Sequence, residues 1–255
     1  MTLGNQSSGE PTSRVALVTG AGRRVGAAIA RALLESGWSV ALHHHASPVE
    51  AAALASTAPE RARVYPADLG EPNAGGALVD RVIADFRRLD LLVASAAIFE
   101  RVAFEDVDAL AWDRTMALNL RATFFMAQRA ASALRASEGS IVILTCSSAT
   151  LPYPDFLPYV VSKGAARQLM RTLAIELAPR VRVNAVAPGT VLPPEASDDA
   201  ARSALSERTL VKKLGTASDV AGAVLYLADA RFVTGHEILV DGGVTLAGRY
   251  SGEGD

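Results

Sequence analysis

In Tyr159-Val160-Val161-Ser162-Lys163 a phenol and an ammonium stand four positions apart. On an α-helix such residues share a face, so both can address one substrate and one cofactor ribose. A lysine cation beside a tyrosine stabilises phenolate and lowers the pKa from its ordinary value of about 10. A tyrosine so tuned exchanges a proton with a carbonyl oxygen or imine nitrogen near neutral pH while a nicotinamide supplies hydride. A second group of residues suits the nicotinamide. Thr19-Gly20-Ala21-Gly22-Arg23-Arg24-Val25-Gly26 follows a β-branched apolar run and opens an alanine-rich stretch of helical spacing. Glycines there let backbone approach a pyrophosphate, and the free N–H groups of a helix start bind its charge. Arg23 and Arg24 oppose the helix dipole by roughly 0.3–1 kcal/mol each, a sign that an arriving anion reverses.

The elements that must hold these residues can be read from periodicity. Short apolar runs predict strands at Val15–Thr19, Ser39–His43, Arg63–Ala67, Leu89–Ser95, Ser140–Thr145, Arg182–Ala187 and Glu237–Val240. Helical spacing predicts Gly26–Ser36, Pro48–Ala55, Gly75–Phe86, Leu110–Arg135, Tyr159–Ala178 and Ser218–Ala228 between them. The alternation predicts an α/β fold: a single Rossmann-type doubly wound domain with a parallel seven-stranded sheet and helices on both faces. Residues 1–13 are expected to be a flexible lead-in, 14–247 the domain, and 248–255 a frayed tail. Residues 190–213, with Pro193-Pro194 and a capping Ser197-Asp198-Asp199, are expected to form a lid over the site.

Composition excludes other classes. The chain has 255 residues, is 50% hydrophobic, and balances 25 Lys+Arg against 27 Asp+Glu. That is too apolar for disorder, and a net charge of −2 offers no footprint for nucleic acid. One cysteine forms no intrachain disulfide and supplies no thiol pair for structural zinc. Apolar stretches are too short to span a membrane, and the polar start lacks a signal-peptide core. The expectation is a cytoplasmic protein acting on a small-molecule substrate.

The turn resembles that of the short-chain dehydrogenase/reductase family, Thr-Gly-x-x-x-Gly-x-Gly, from Arg14 to Val244. Arg24 replaces the middle glycine, as in the pteridine reductases of that family, where the arginine reaches cofactor phosphates and substrate. An NAD-selective site places a carboxylate at the end of the second strand. Here His43-His44-His45-Ala46-Ser47 carries none, so NADP(H) is the expected cofactor, with His45, Ala46, Ser47 and Arg23 near its 2′-phosphate. Three successive histidines on a strand point to alternate faces, and no metal is expected. By resemblance, Gly20, Gly22, Val25, Asp68, Leu69, Ser95, Ala96, Ala97, Pro188, Gly189, Thr190 and Val191 also line the cofactor site. Asp68 reads equally as a helix cap. Ser95-Ala96-Ala97 stands where the family has Asn-Ala-Gly, so that asparagine's structural hydrogen bonds must come from elsewhere.

Resemblance also implies that Tyr159 is the proton donor, that Lys163 modulates it and anchors the ribose, and that Asn119 holds a water in a proton relay. The family's serine, thirteen residues before the tyrosine, falls on Cys146, with Ser147 next to it as the alternative. Phe99 matches the ring that stacks on pterin, and Arg24, Cys146, Phe156 and Tyr159 complete the expected substrate set. A pterin-like ring is the first-choice substrate; a 3-oxoacyl thioester or general ketone is the alternative, and a non-catalytic NADP(H) sensor a third reading. The C-terminal strand of the family packs in a tetramer, which implies a homotetramer.

Overall fold

A computed structural model describes residues 13–191 and 198–247. The expected lead-in up to residue 12, the near side of the lid at 192–197 and the tail at 248–255 lie outside the described residues. Seven strands form one parallel sheet in the order β3-β2-β1-β4-β5-β6-β7. They are β1 Val15–Val18, β2 Ser39–His44, β3 Ala62–Pro66, β4 Leu91–Ala94, β5 Ser140–Leu144, β6 Arg182–Pro188 and β7 Glu237–Val240. The order reverses between β1 and β4, where the crossovers leave to opposite sides and open a crevice at the strands' carboxyl ends.

Helices α1 (Arg24–Glu35), α2 (Pro48–Ser56), α3 (Ala74–Phe86), α4 (Ala109–Met116), α5 (Ala122–Ser137) and α6 (Leu157–Glu176) alternate with the strands, followed by α7 (Asp199–Glu207), α8 (Ala217–Asp229) and the short α9 (Val244–Ala247). Successive strand residues face opposite sides. Leu17, Leu92, Ile141 and Val183 therefore enter the core under α3, α5 and α6, while Val18, Val93, Val142 and Val186 enter the core under α1 and α8. Two polar residues tie the layers. Asp90 is buried, accepts from Val15 N–H at 2.8 Å and binds Arg88 Nε through both oxygens. Arg182 donates to the carbonyls of Leu227, Ala228 and Ala230, closing the C-terminal end of α8. No helix among the described residues is long and apolar enough to cross a membrane.

Three boundaries differ from expectation for a physical reason, and a fourth falls where it was expected. The predicted helix Leu110–Arg135 is split by a π-helical turn, Ala117–Arg121, which carries Asn119. The predicted strand Leu89–Ser95 stops at Ala94, because Ser95 and Ala96 N–H turn to the Thr19 hydroxyl at 2.9 and 3.0 Å instead of continuing the ladder. α1 begins at Arg24, two residues early, with Arg24 at φ 53°, in the left-handed region that a glycine would occupy without strain. α7 starts where the sequence placed its cap: Asp198 accepts from Ala201 N–H at 2.8 Å.

Candidate active site

The crevice is a cleft of about 1380 Å³. Its floor is the turn from β1 into α1. At Gly26 a Cβ would lie 2.1 Å from the Gly20 carbonyl oxygen, and at Gly22 it would lie 2.1 Å from Ser47 Oγ. Only glycine therefore permits the turn to fold back on itself and the β2 end to pack against it. His43 fixes the same turn from below. Its Nδ1 accepts from Gly20 N–H at 3.1 Å, so Nε2 carries the proton and donates to the Ala67 carbonyl at 3.1 Å. Burial keeps this imidazole neutral, pushing its pKa down to about 4 against the opposing pull of the Ala67 bond.

The far wall begins at Thr19, whose hydroxyl accepts from Ser95 and Ala96 N–H. They hold the backbone that leaves β4 against the end of β1. Thr19→Val keeps the shape and removes the acceptor. It should cost about 2 kcal/mol through two unmet, half-buried donors, a fall of about 4–8 °C in Tm by thermal denaturation.

At the deep end, α6 presents Tyr159 and Lys163, both buried. Lys163 Nζ donates to the Leu144 carbonyl at 2.7 Å and lies 5.6 Å from the Tyr159 ring centre. The expected lowering of the Tyr159 pKa is not what this arrangement produces. Burial pushes the phenol well above 10 and the neighbouring Cys146 side chain pushes it further, while burial draws Lys163 down to about 8. Desolvation outweighs the mutual help of the pair because the ammonium is turned to a carbonyl rather than to the phenol. Between Cys146 and Ser147, it is the Cys146 side chain that lies against the Tyr159 hydroxyl and against that of Tyr153. Ser147 lines the cleft beside it and opens a short 3-10 turn, Ser147–Ala149.

Asn119 does not bond its own helix. Its amide accepts from Ile98 N–H at 2.8 Å and donates to the Ile98 carbonyl at 3.1 Å and to Ser162 Oγ at 3.0 Å. It thus fastens the loop after β4 to the α6 turn between Tyr159 and Lys163. Phe99, though 57% exposed, stacks on Phe156 at 4.5 Å and 12° and meets Tyr159 edge-on at 4.7 Å. Tyr153 packs edge-on against Phe156 at 5.3 Å, completing an aromatic wall beside the phenol.

Of the residues singled out in the sequence, Gly20, Arg23, Arg24, Val25, His45, Ala46, Ser47, Asp68, Leu69, Ser95, Ala96 and Ala97 line one end of the cleft. Phe99, Cys146, Ser147, Phe156, Tyr159, Lys163, Pro188, Gly189, Thr190 and Val191 line the other. Gly22 and Asn119 lie behind the surface, one against Ser47 and one against Ile98 and Ser162. Asp68 is not a helix cap: it accepts from Gly70 N–H at 2.8 Å, and Asn73 holds the cap position of α3. Thr19, His43 and Ser162 were missed. Each acts on backbone or on another site residue, and only the place of Thr19 and Ser162 within the two motifs hinted at it.

An open parallel α/β sheet with a glycine-lined phosphate turn and a buried Tyr/Lys pair at the switch point defines a dinucleotide-binding oxidoreductase fold. Comparison sharpens the class. A family model described as Enoyl-(Acyl carrier protein) reductase matches residues 20–245. The L-rhamnose 1-dehydrogenase (NAD(P)(+)) of Sphingomonas sp. strain SKA58 is 32% identical over 243 residues, covering 91% of this chain and 96% of that one. Among solved structures, the angucycline C-6 ketoreductase LanV with bound NADP superimposes with a TM-score of 0.85 at 33% identity, covering 92% of this chain and 97% of that one. A blue fluorescent protein from a metagenomic library, in complex with NADPH, gives a TM-score of 0.84 at 31% identity, covering 91% and 97%. The chain belongs to the short-chain dehydrogenase/reductase family.

Proposed function

We propose that the protein is an NADPH-dependent carbonyl reductase whose substrate carries its ketone on a flat ring. The observation that carries this reading is Tyr159, its hydroxyl against the Cys146 side chain and its ring edge-on to Phe99 of the Phe99–Phe156 stack, in the same cleft as the glycine turn. The cleft suits a phosphorylated dinucleotide: no carboxylate stands at the end of β2, and exposed Arg23 and Arg24 open α1 without an acidic residue in its first turn. His44 Nδ1, buried at that strand end without a hydrogen-bond partner, is a further group for the cofactor's polar edge. Bound NADPH would supply the hydride. Tyr159, protonated at neutral pH, donates its proton to the carbonyl oxygen; Cys146, a weak donor, orients the phenol and the carbonyl. Lys163 contributes its charge beneath the tyrosine and takes the ribose hydroxyls.

LanV is a ketoreductase with bound NADP, which supports the same chemistry here. Arg24 and Phe99 favour a pterin as the second reading. A thiol at position 146 lacks the acidity with which an aspartate would protonate a pterin ring, so ketones rank first. A homotetramer is the assembly we favour, with Phe232 fully exposed and Tyr226 and Leu239 partly so near the open edge of the sheet.

Purified enzyme should oxidise NADPH faster than NADH in the presence of a bicyclic aromatic ketone. A panel of such ketones, a 3-oxoacyl thioester and dihydrobiopterin separates the readings. Turnover of dihydrobiopterin alone would reinstate the pterin, and tight NADPH binding with no turnover anywhere would leave a sensor.

A further inference from the structure

A charge pair with a buried carboxylate and a partly exposed guanidinium stands behind the site and takes no part in the proposed chemistry. Arg167, one helical turn beyond Lys163 on α6, places Nε 2.8 Å from Glu237 Oε2 on the edge strand β7. The Glu237 side chain is 5% exposed. The contact is one of charge more than of an aligned hydrogen bond, since Arg167 Nε finds no well-directed acceptor. Each partner also reaches the segment that carries Cys146. Thr145 Oγ1 donates to Glu237 Oε1 at 2.7 Å, and Arg167 Nη1 donates to Thr150 Oγ1 at 3.1 Å. Thr145 directly precedes Cys146, and Thr150 directly follows the 3-10 turn Ser147–Ala149. One ion pair thus holds both ends of a six-residue segment whose middle faces the tyrosine.

Stability alone is a poor reason for this arrangement, because apolar residues of similar volume often replace a buried ion pair at no cost. What apolar side chains lack is direction: they would pack without fixing the two threonine hydroxyls. We infer that Arg167 and Glu237 are positioning residues, a clamp that holds residues 145–150 so that the Cys146 thiol stays against the Tyr159 hydroxyl. The mechanistic part of this inference rests on the proposed role of Cys146; the clamp itself does not.

The chain's single cysteine makes the test direct, since iodoacetamide has one thiol to alkylate and intact mass follows it. In folded protein, Arg167→Met and Glu237→Gln should each speed alkylation of Cys146 by about fivefold or more, the factor that about 1 kcal/mol of lost local stability gives. Arg167→Lys, which keeps the charge, should restore part of the protection. Two variants guard against one failing to fold, and the melting curve of each is recorded alongside. Unchanged alkylation rates, with or without a fall in Tm, overturn the clamp. In ketone reduction, Arg167→Met should lower kcat with the KM for NADPH unchanged, and a Cys146→Ala background should abolish that loss. An equal loss in that background overturns action through the thiol. Fast alkylation together with full activity of Cys146→Ala keeps the clamp and refutes instead the proposed role of Cys146.

Discussion

Tyr159→Phe should lower kcat for the proposed ketone reduction by about 10²–10⁴-fold, the usual worth of a positioned proton donor, and leave NADPH affinity unchanged. The lost group is one hydroxyl at the deep end of the cleft, far from the phosphate turn, so steady-state rates and a fluorescence titration with NADPH should separate cleanly. Burial holds the phenol well above its ordinary pKa, so the donor is protonated throughout the neutral range and is not what limits activity on the alkaline side. Lys163, drawn down to about 8 by burial, is the group that loses its charge first as pH rises. The wild-type rate should therefore decline with an apparent pKa near 8, the ammonium form being the active one. A profile flat to pH 10 would remove Lys163 from the role assigned to it.

Lys163→Met should do two opposite things. Turnover should fall by roughly 10²-fold or more, because the charge under the tyrosine and the proposed ribose contact both vanish. Stability at pH 7 rises. A fully buried cation is replaced by an apolar chain of similar length, a gain of about 2–3 kcal/mol, against about 1 kcal/mol for the Leu144 carbonyl left without its donor. The expected net is about 1–2 kcal/mol, or about 2–8 °C in Tm. The sign follows from linkage. The folded pKa is depressed from 10.5 to about 8, so between those values the unfolded chain binds more protons than the native one and wild-type stability rises with pH. Below about pH 8 the burial cost is present in full. The advantage of Lys163→Met should hence be greatest at neutral pH and shrink towards pH 10, and a melting series across that window checks it.

Strand and helix order were legible because apolar runs and helical spacing are local properties, and the parallel sheet follows from their alternation. The cleft's lining was legible because glycines, the Tyr/Lys pair and the proline-glycine turn recur at fixed offsets. What escaped was cooperative. The protonation states of Tyr159 and Lys163 depend on how much protein surrounds them, which four-residue spacing does not encode. That Thr19 accepts from the backbone after β4 depends on the approach of β1 to β4, seventy-odd positions apart. The choice of Cys146 over Ser147 was left open by spacing, and the turn after β5 decides which side chain lies against the tyrosine.

The π-helical turn at Ala117–Arg121 is also a phase slip. One residue inserted into a helix rotates everything after it by about 100°. α4 before the slip packs beside α6, and α5 after it packs on α3 through Ala122, Met126 and Ala130. A single continuous helix has only one inner stripe and could not serve both neighbours. The slip also aims the Asn119 amide at Ile98 and Ser162. A chain shortened by one residue within this turn would retain the glycine turn, the Tyr159/Lys163 pair and the aromatic wall. It would nevertheless lose the link between the loop after β4 and the helix that carries the tyrosine, so the site depends on a count of residues as much as on their identity.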